Sequence, residues 1–292
     1  MKKNLLLELE SSLSFIGQEF IPNLNRNLFD IEFENLAKSV NHDIDLFNFF
    51  FVNYHNALKE ARNNNVLNAQ NIINRTDKLI RIDSLVGDEQ KLFLLVKNPI
   101  NAYIEYKLGN FRLSEELTIS TMVLDDYFQK VNSAIFFHKI QQLQNITRIK
   151  LRKNDYASSS KIIGILFSVL ILNKKEIFEE ISFECDSQIE MHKGLKTLML
   201  SQIFDEWITT LIKLESSERN EYFLNSISNI PLYKKSDSEF YGILVLIDII
   251  VNIICDQYNS SNEVIESINK LVDYPVSFSK ENYLELIKKL LS

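Results

Sequence analysis

The chain of 292 residues contains only 6 glycines and 4 prolines. Strands need frequent turns, and turns draw heavily on these two residues, so their scarcity disfavours an all-β architecture. Hydrophobic residues make up 46% of the chain and charged residues 24%, which is typical of a folded globular protein rather than a disordered one. The composition therefore predicts long helices joined by short loops.

Cysteine is also rare. Cys185 and Cys255 lie far apart and form no Cys-x-x-Cys pair, which predicts two buried free thiols in a reducing compartment. The first residues do not follow the pattern of a secretory leader, so we expect a cytoplasmic protein. None of the four histidines has metal-ligand spacing, and no glycine-rich phosphate loop or nucleophile elbow occurs. We therefore expect no cofactor and no metal.

An excess of positive charge is absent as well. The net charge is −7, which makes nucleic acid an unlikely partner despite the basic cluster Arg148–Lys153. The two longest apolar runs, Ile162–Leu172 and Phe240–Cys255, span 11 and 16 residues. A membrane-spanning helix needs about 20 apolar residues. We expect both runs to be core helices, and no membrane partner.

What the chain does contain is a threefold repeat at a spacing of 45 residues. Its four columns are Ala57, Ala102 and Thr147; Asn64, Gly109 and Asn154; Val66, Phe111 and Tyr156; and Ala69, Ser114 and Ser159. The residues of the first and fourth columns are small. Those of the second column tolerate a left-handed backbone, and those of the third are large and apolar. A period between about 20 and 50 residues is typical of stacked helical arrays, in which each unit buries its apolar face against its neighbours.

The apolar periodicity gives the following organisation. Helices are predicted near residues 3–19, 44–62, 66–82, 88–108, 112–129, 132–153, 156–172, 188–213, 236–257, 261–272 and 279–291. Asn41–Asp45 supplies capping residues before the second of these. We assign 1–43 to N-terminal helices, 44–172 to three helical-hairpin repeats, and 173–292 to a divergent C-terminal helical part, continuous with the same superhelix.

The segment Tyr106-Lys107-Leu108-Gly109-Asn110-Phe111, followed by Ser114, resembles the middle of a tetratricopeptide repeat. In that family a small residue precedes a turn glycine by seven positions, and an aromatic and a small residue follow, as at Ala102, Gly109, Phe111 and Ser114. The period of 45 exceeds the usual value of about 34. The resemblance implies an all-α, right-handed superhelix (α-solenoid) of antiparallel helical hairpins that binds a protein or peptide. Helical arrays of bacterial peptide-sensing regulators are similar, although no DNA-binding helix-turn-helix is evident here.

The resemblance also implies that the first helix of each pair lines a concave surface. By position, that surface comprises Tyr54, Leu58, Arg62, Tyr103, Tyr106, Lys107, Gln144, Arg148 and Arg152, with the repeated asparagines Asn56 and Asn101. Arg62, Lys107 and Arg152 recur every 45 residues, and such a cation ladder suits a carboxylate-bearing peptide or an acidic helix. All three also lie in the last turn of a helix, where positive charge offsets the helix dipole, so a purely local role is the alternative.

A catalytic alternative comes from Asp125-Asp126-Tyr127-Phe128-Gln129, which resembles the first part of a terpene-synthase metal motif. That resemblance implies magnesium and a diphosphate substrate. No matching downstream triad is found, and we expect two solvated carboxylates at a helix end.

We therefore predict a non-catalytic helical-repeat scaffold or receptor for a protein segment or peptide, favouring an acidic one. The alternatives are an all-α enzyme of terpene-synthase type and a peptide-sensing regulatory protein without its own DNA-binding domain. The acidic C-terminal part also suits docking of a second copy of the chain.

Overall fold

A computed structural model describes residues 28–40, 43–81, 84–230, 241–255 and 279–291. Within these ranges the helices are α1 (Asp30–Ser39), α2 (Ile44–Arg62), α3 (Val66–Ile80), α4 (Gly87–Leu108), α5 (Phe111–Phe128), α6 (Ile135–Arg152), α7 (Tyr156–Leu172), α8 (Ser187–Glu190), α9 (Lys193–Lys213), α10 (Ser216–Ile227), α11 (Tyr241–Ile254) and α12 (Lys280–Leu291). Two short antiparallel strands, β1 (Glu176–Phe178) and β2 (Ile181–Phe183), lie between α7 and α8 in the chain. The predicted all-α class is confirmed.

The helix predictions for residues 44–172 are confirmed to within a few residues. The single helix predicted for 188–213 is wrong, because Met191 and His192 separate α8 from α9. The sequence analysis also gave no separate helix for α1 or α10 and no strand for β1 or β2. The helices predicted near 3–19 and 261–272 lie outside the described residues.

The three hairpins α2–α3, α4–α5 and α6–α7 each reverse at a residue with a left-handed backbone. Asn64, Gly109 and Asn154 have φ angles of 65°, 82° and 58°. Glycine adopts such angles without steric cost, and asparagine tolerates them better than most residues. The expected role of this column is confirmed. The capping role expected of the Asn41–Asp45 segment is confirmed at Asp43, whose side chain accepts the N–H groups of Asp45 and Leu46.

The small residues of the repeat allow the two helices of a hairpin to approach closely. The buried members of these two columns are Ala57, Ala102, Thr147, Ala69, Ser114 and Ser159. In the second hairpin, Ser114 Oγ on α5 donates a hydrogen bond to the Ala102 carbonyl on α4 at 2.7 Å. A larger side chain at either position would push the two helices apart. The small residues in these columns are therefore explained by the close packing of the helices in each hairpin.

The first helices of the three hairpins, α2, α4 and α6, end at one common edge. Lys107 Nζ, in the last turn of α4, donates to Asn64 Oδ1 in the α2–α3 turn at 2.9 Å. Lys150 Nζ, in the last turn of α6, lies 2.6 Å from Glu115 Oε1 near the start of α5. Because α5 begins where α4 ends, these contacts place the three C-terminal ends together. We call this side the turn edge; it contains residues 63–65, 109–110 and 153–155.

The chain divides into two compact units. The hairpin unit consists of the described residues up to Ile162 together with Lys175–Leu195. The C-terminal unit consists of Ile163–Lys174 and the described residues from Lys196 onward. Helix α7 contributes residues to both units, and the continuity of the C-terminal part with the same superhelix stays a prediction.

The core of the C-terminal unit is built around Trp207, which is 0% exposed. Its indole stacks on Phe223 at a centroid distance of 5.4 Å and meets the Phe167 ring edge-on at 5.3 Å. The apolar run in α11 is also largely buried, with Leu246 and Ile250 both at 0% exposure. The core role expected for the two apolar runs is confirmed. Across the described ranges, no helix combines the length and the apolar character needed to cross a bilayer.

Both cysteines carry free thiols, as predicted. Their predicted burial is wrong: Cys185 is half-buried and Cys255 is exposed. Cys255 directly follows the last residue of α11, and at that position its side chain reaches solvent.

Asp205 on α9 holds the N-terminal end of α12, because its Oδ1 accepts the Ser279 N–H at 2.7 Å. Burial raises the pKa of this carboxyl, and the Ser279 hydrogen bond offsets only part of that rise. The folded state therefore retains a proton that the unfolded state releases at the ordinary aspartate pKa. As a result, the stability of the C-terminal unit falls as the pH rises from that value through the raised pKa.

We expect Asp205→Asn, which keeps an acceptor oxygen for Ser279, to flatten this pH dependence. Urea unfolding followed by Trp207 fluorescence measures it between about pH 4 and pH 7. Trp207 is the chain's one tryptophan, so the signal comes from the C-terminal unit. Equal slopes of stability against pH in the wild type and the variant would contradict the prediction.

Candidate functional site

A cavity of about 320 Å³ lies in the hairpin unit, among the first helices of all three hairpins. Its walls are formed by α2, α4 and α6, with α1 and the residues just before it completing the lining. The volume falls at the lower end of the range typical of small-ligand sites, about 300 to 1,000 Å³. The first helices therefore border one common cavity.

Helix α1 and the two residues before it line one end of this cavity. The rings of Phe29 and Phe33 meet the His138 imidazole edge-on, at centroid distances of 5.2 and 5.1 Å, and all three side chains are buried. Asn132 Nδ2, in the loop before α6, donates to Glu32 Oε2 on α1 at 2.7 Å. We call this the α1 end; the turn edge lies in the opposite direction along α2 and α6.

The His138 imidazole contacts the buried carboxylate of Asp125. Its Nδ1 lies 2.6 Å from Asp125 Oδ1, and Asp125 is 0% exposed. Burial raises the pKa of Asp125, whereas His138 and Lys139 act in the opposite sense. The expectation of a solvated carboxylate is therefore wrong for Asp125, because the last turn of α5 faces α6. It is confirmed for Asp126, whose half-exposed side chain pairs with Lys139 Nζ at 2.9 Å.

The adjacent aspartates thus contact two different side chains, those of His138 and Lys139. In the part of the chain that the structure describes, no group of three or more His, Cys, Asp or Glu residues is arranged to hold a metal ion. The terpene-synthase resemblance of residues 125–129 gains no support from this geometry.

A chain of hydrogen bonds runs along one face of α6 toward the turn edge. Arg148 Nη1 donates to Asn145 Oδ1 at 2.8 Å, and Asn145 Nδ2 donates to Gln142 Oε1 at 3.2 Å. Gln142 Nε2 lies 3.0 Å from His138 Nε2. A guanidinium has only donors, so the Asn145 oxygen faces Arg148 and the Asn145 amino group faces the Gln142 oxygen. The Gln142 amino group therefore faces His138, and His138 Nε2 accepts its hydrogen bond. The His138 proton is then on Nδ1, where it is donated to Asp125.

The α4 wall contains a proline. Pro99 lines the cavity and has no N–H, so the Leu95 carbonyl lacks the donor that a helix normally supplies four residues later. Leu95 lines the cavity too and is buried, at 0% exposure. Pro99, Tyr103 and Arg148 also border an adjoining cavity of about 70 Å³, which Tyr106 helps to line.

A second pair of polar groups lies toward the α1 end. His55 Nδ1 is 2.9 Å from the Phe51 carbonyl oxygen, and a carbonyl can only accept, so this nitrogen carries a proton. The other ring nitrogen, Nε2, lies 3.6 Å from Asp30 Oδ1 on α1. Both side chains are partly exposed and line the cavity.

Three of the site residues predicted from the sequence, Arg62, Tyr103 and Arg148, line the cavity, and Tyr106 lines the adjoining one. Leu58, named with them for the concave surface, also lines the cavity.

Tyr54 does not reach the cavity, because it is 0% exposed in the core between α2 and its neighbours. Its ring packs on Phe50 at a centroid distance of 4.2 Å, and its hydroxyl donates to Asp77 on α3. Burial, followed by the hydrogen bond to this carboxylate, raises the pKa of the phenol. Lys97 Nζ binds the other oxygen of Asp77 at 2.7 Å, so Tyr54 belongs to a packing network.

The remaining predicted residues lie outside both cavities. Lys107 donates to Asn64, Arg152 is exposed, and Asn101 is half-buried. Gln144, also named for the concave surface, is buried. Of the three cations spaced by 45 residues, only Arg62 lines the 320 Å³ cavity, and its companion there is Arg148.

Several lining residues were missed by the sequence analysis. They are Asp30, His55, Leu95, Pro99, His138, Gln142 and Asn145. The spacing of His138, Gln142, Asn145 and Arg148 along α6 gives the one available signal, because residues three and four apart share a helix face.

No protein-family model, no curated protein and no solved structure matches this chain. The chemistry of the cavity is therefore the basis on which a function can be assigned.

Proposed function

We propose that the chain is a non-catalytic helical-repeat binding protein whose cavity receives a protein segment or short peptide. The observation that carries the proposal is the cavity itself, because all three first helices and α1 contribute to its walls. The right-handed superhelical stacking of the hairpins, the tetratricopeptide relationship and a cytoplasmic location belong to the same proposal. A peptide-sensing regulatory role is the alternative that would use the same site.

The lining supports this proposal because it combines apolar surface with a few polar groups. Leu58, Val96 and Ile100 supply aliphatic side chains from α2 and α4. Tyr103 adds an aromatic ring with a hydroxyl group, a combination common at recognition sites. Binding sites are typically built in this way, with apolar contacts giving affinity and a few polar groups giving orientation.

The cations favour an anionic group on the partner. Arg62 is the last residue of α2 and is exposed, and its side chain makes no hydrogen bond or ion pair with the described residues. Arg148 lies on α6, lines the same cavity and donates from Nη1 to Asn145 Oδ1 at 2.8 Å. Because guanidinium groups bind carboxylates through paired hydrogen bonds, the acidic partner favoured by the sequence remains part of the proposal.

Filling the cavity tests the proposal. Random peptides displayed on phage are selected on the wild-type chain, resynthesised and measured against Leu58→Trp. We expect their affinity to fall about tenfold or more, a loss of about 1.4 kcal/mol, because the indole occupies the space of the ligand. Leu67→Trp is the matched control, since Leu67 on α3 is 77% exposed and lies outside the cavity lining.

Peptides that bind Leu58→Trp as tightly as the wild type would contradict binding in the cavity. Failure to enrich any peptide on the wild type above the level reached on Leu58→Trp would contradict the proposed function as a whole. Circular dichroism of both tryptophan variants checks that helicity is unchanged.

A further inference from the structure

We infer that the adjoining cavity of about 70 Å³, which we call the side-chain pocket, receives one branched aliphatic side chain of the bound peptide, of about the size of valine. The inference rests on the proposed function and adds a side chain that the ligand must carry. A peptide in the larger cavity lies beside the side-chain pocket, because four residues line both. They are Pro99, Tyr103, Asn145 and Arg148.

The buried part of the side-chain pocket suits an apolar group. It consists of Ala102, Ser114, Thr118 and Ile149, each at most 4% exposed. Ser114 Oγ donates its hydrogen to the Ala102 carbonyl at 2.7 Å, and Thr118 Oγ1 donates its hydrogen to the Ser114 carbonyl at 2.8 Å. A hydroxyl group has one hydrogen, so these two donate none to a ligand. A carbonyl or carboxylate that entered would lose its hydrogen bonds with water without gaining a donor from these hydroxyls.

The mouth of the side-chain pocket consists of its more exposed lining residues. Tyr103, Tyr106 and Asn145 are half-buried, and Arg148 is exposed. The positive charge of the Arg148 guanidinium opposes the entry of a lysine or arginine side chain. Together with the buried lining, this charge leaves a neutral aliphatic side chain as the group that fits.

The volume of the side-chain pocket sets the size of that group. An apolar cavity of about 150 Å³ holds one molecule of benzene, which has six carbon atoms. The side-chain pocket has slightly less than half this volume, which corresponds to about three carbon atoms. The side chain of valine has three carbon atoms, whereas those of alanine and leucine have one and four.

Selection by size requires walls that keep their shape, and contacts outside the pocket hold the two tyrosine rings. The rings of Tyr103 and Tyr106 stack at a centroid distance of 6.3 Å. Phe111 meets the Tyr106 ring edge-on at 5.9 Å, and Lys107 Nζ lies 5.7 Å from the centroid of the Tyr103 ring. Aromatic pairs and cation–ring pairs at these distances attract each other. The tyrosine wall is therefore formed before the ligand binds.

Two substitutions change the volume of the side-chain pocket in opposite directions. Thr118→Ile adds bulk to its lining, and Ile149→Val removes one carbon atom. Random peptides on phage are selected in parallel on the full-length wild type and on each variant, and the enriched pools are sequenced. We expect one peptide position to be enriched in valine on the wild type, in alanine on Thr118→Ile, and in leucine or isoleucine on Ile149→Val.

The matched control is Thr121→Ile, the same substitution three residues later on α5. Thr121 is 0% exposed and lines neither cavity, so we expect the enrichment in valine to be the same as on the wild type. Circular dichroism checks that all three variants keep their helicity.

Resynthesised peptides that differ only at the enriched position measure the preference by isothermal titration calorimetry. On the wild type we expect the valine form to bind at least about tenfold more tightly than the alanine, threonine and leucine forms. One methylene group or one buried hydroxyl group changes affinity by this order. On Thr118→Ile we expect the alanine form to bind more tightly than the valine form. A general loss of folding weakens all forms together and cannot reverse their order.

Peptides that bind the wild type and lose affinity in Leu58→Trp, but show the same preference on Thr118→Ile and Ile149→Val as on the wild type, would overturn the inference and leave the proposed function intact. A preference for a charged or aromatic residue at the position that responds to these variants would also overturn it. An equal shift on Thr121→Ile would assign the effect to the packing of α5 and overturn it as well. If no peptide is enriched on the wild type, the inference and the proposed function both fail.

Discussion

Asp125→Ala is expected to lower the free energy of unfolding of the hairpin unit by about 1 to 3 kcal/mol, the usual cost of leaving a buried hydrogen-bond donor without its acceptor. Asp125 is 0% exposed, and its Oδ1 is 2.6 Å from His138 Nδ1. Without the carboxylate, the proton on His138 faces a buried space with no acceptor, beneath the rings of Phe29 and Phe33. Hydrogen exchange of the α5 and α6 amides measures the loss.

The matched control for this substitution is Glu116→Ala on the same helix. Glu116 pairs with Arg112 on the surface, where the two side chains are 55% and 93% exposed. Such pairs between exposed side chains contribute little to stability. Similar losses for Asp125→Ala and Glu116→Ala would show that the His138 contact contributes little to stability. Asp125→Asn, which keeps an oxygen as acceptor, should retain more stability than Asp125→Ala.

Reversing both cavity cations, with Arg62→Glu and Arg148→Glu together, is expected to weaken binding of a carboxylate-bearing peptide about a hundredfold. This corresponds to about 2.7 kcal/mol. The change removes the groups that would pair with the carboxylate and puts two like charges in their place, so attraction is replaced by repulsion. Isothermal titration calorimetry with a peptide from the phage selection, at low and at high salt, measures the effect.

The control for this variant is the pair Lys107→Glu and Arg152→Glu. It changes the net charge by the same amount at the ends of α4 and α6, but neither residue lines the cavity. We expect its affinity to stay within about threefold of the wild type, because neither side chain lines the cavity and charges near the surface interact weakly through water. If the two double variants weaken binding equally, the effect reflects overall charge, and the assignment of Arg62 and Arg148 is wrong.

The hairpin part of the fold could be predicted from the sequence because its signals are local. A left-handed turn residue selects glycine or asparagine, as at Asn64, Gly109 and Asn154. Close helix contacts select small side chains, as at Ala102 and Ser114. Each requirement applies to one position of the hairpin and recurs in all three hairpins. The same type of residue therefore appears at a spacing of 45 residues.

The β-hairpin could not be predicted because its turn breaks the usual rule. Glu179 and Glu180 have φ angles of 47° and 66°, and two-residue turns with positive φ at both positions normally contain asparagine or glycine. A pair of glutamates gives no such signal. Strands of three residues are also too short to show alternation.

The candidate site could be predicted only in part, because its contacts join distant positions. Arg148 and Arg152 share one face of α6, and the 45-residue spacing selected Arg152 for the ladder. One further turn carries a residue about 6 Å along the helix, and Arg152 lies outside the cavity that Arg148 lines. The burial of Asp125 depends on its pairing with His138 across the α5–α6 loop, which no spacing in the sequence encodes.

The way in which the cavity is walled also bears on how this chain could evolve. Repeat proteins commonly gain and lose whole units, because each unit contacts only its neighbours. Here one cavity is lined by the first helix of each of the three hairpins α2–α3, α4–α5 and α6–α7, and by α1. Deleting any one hairpin would remove a wall, and adding one between them would separate the existing walls. A cavity built in this way constrains the number of hairpins around it, because no single hairpin encloses it.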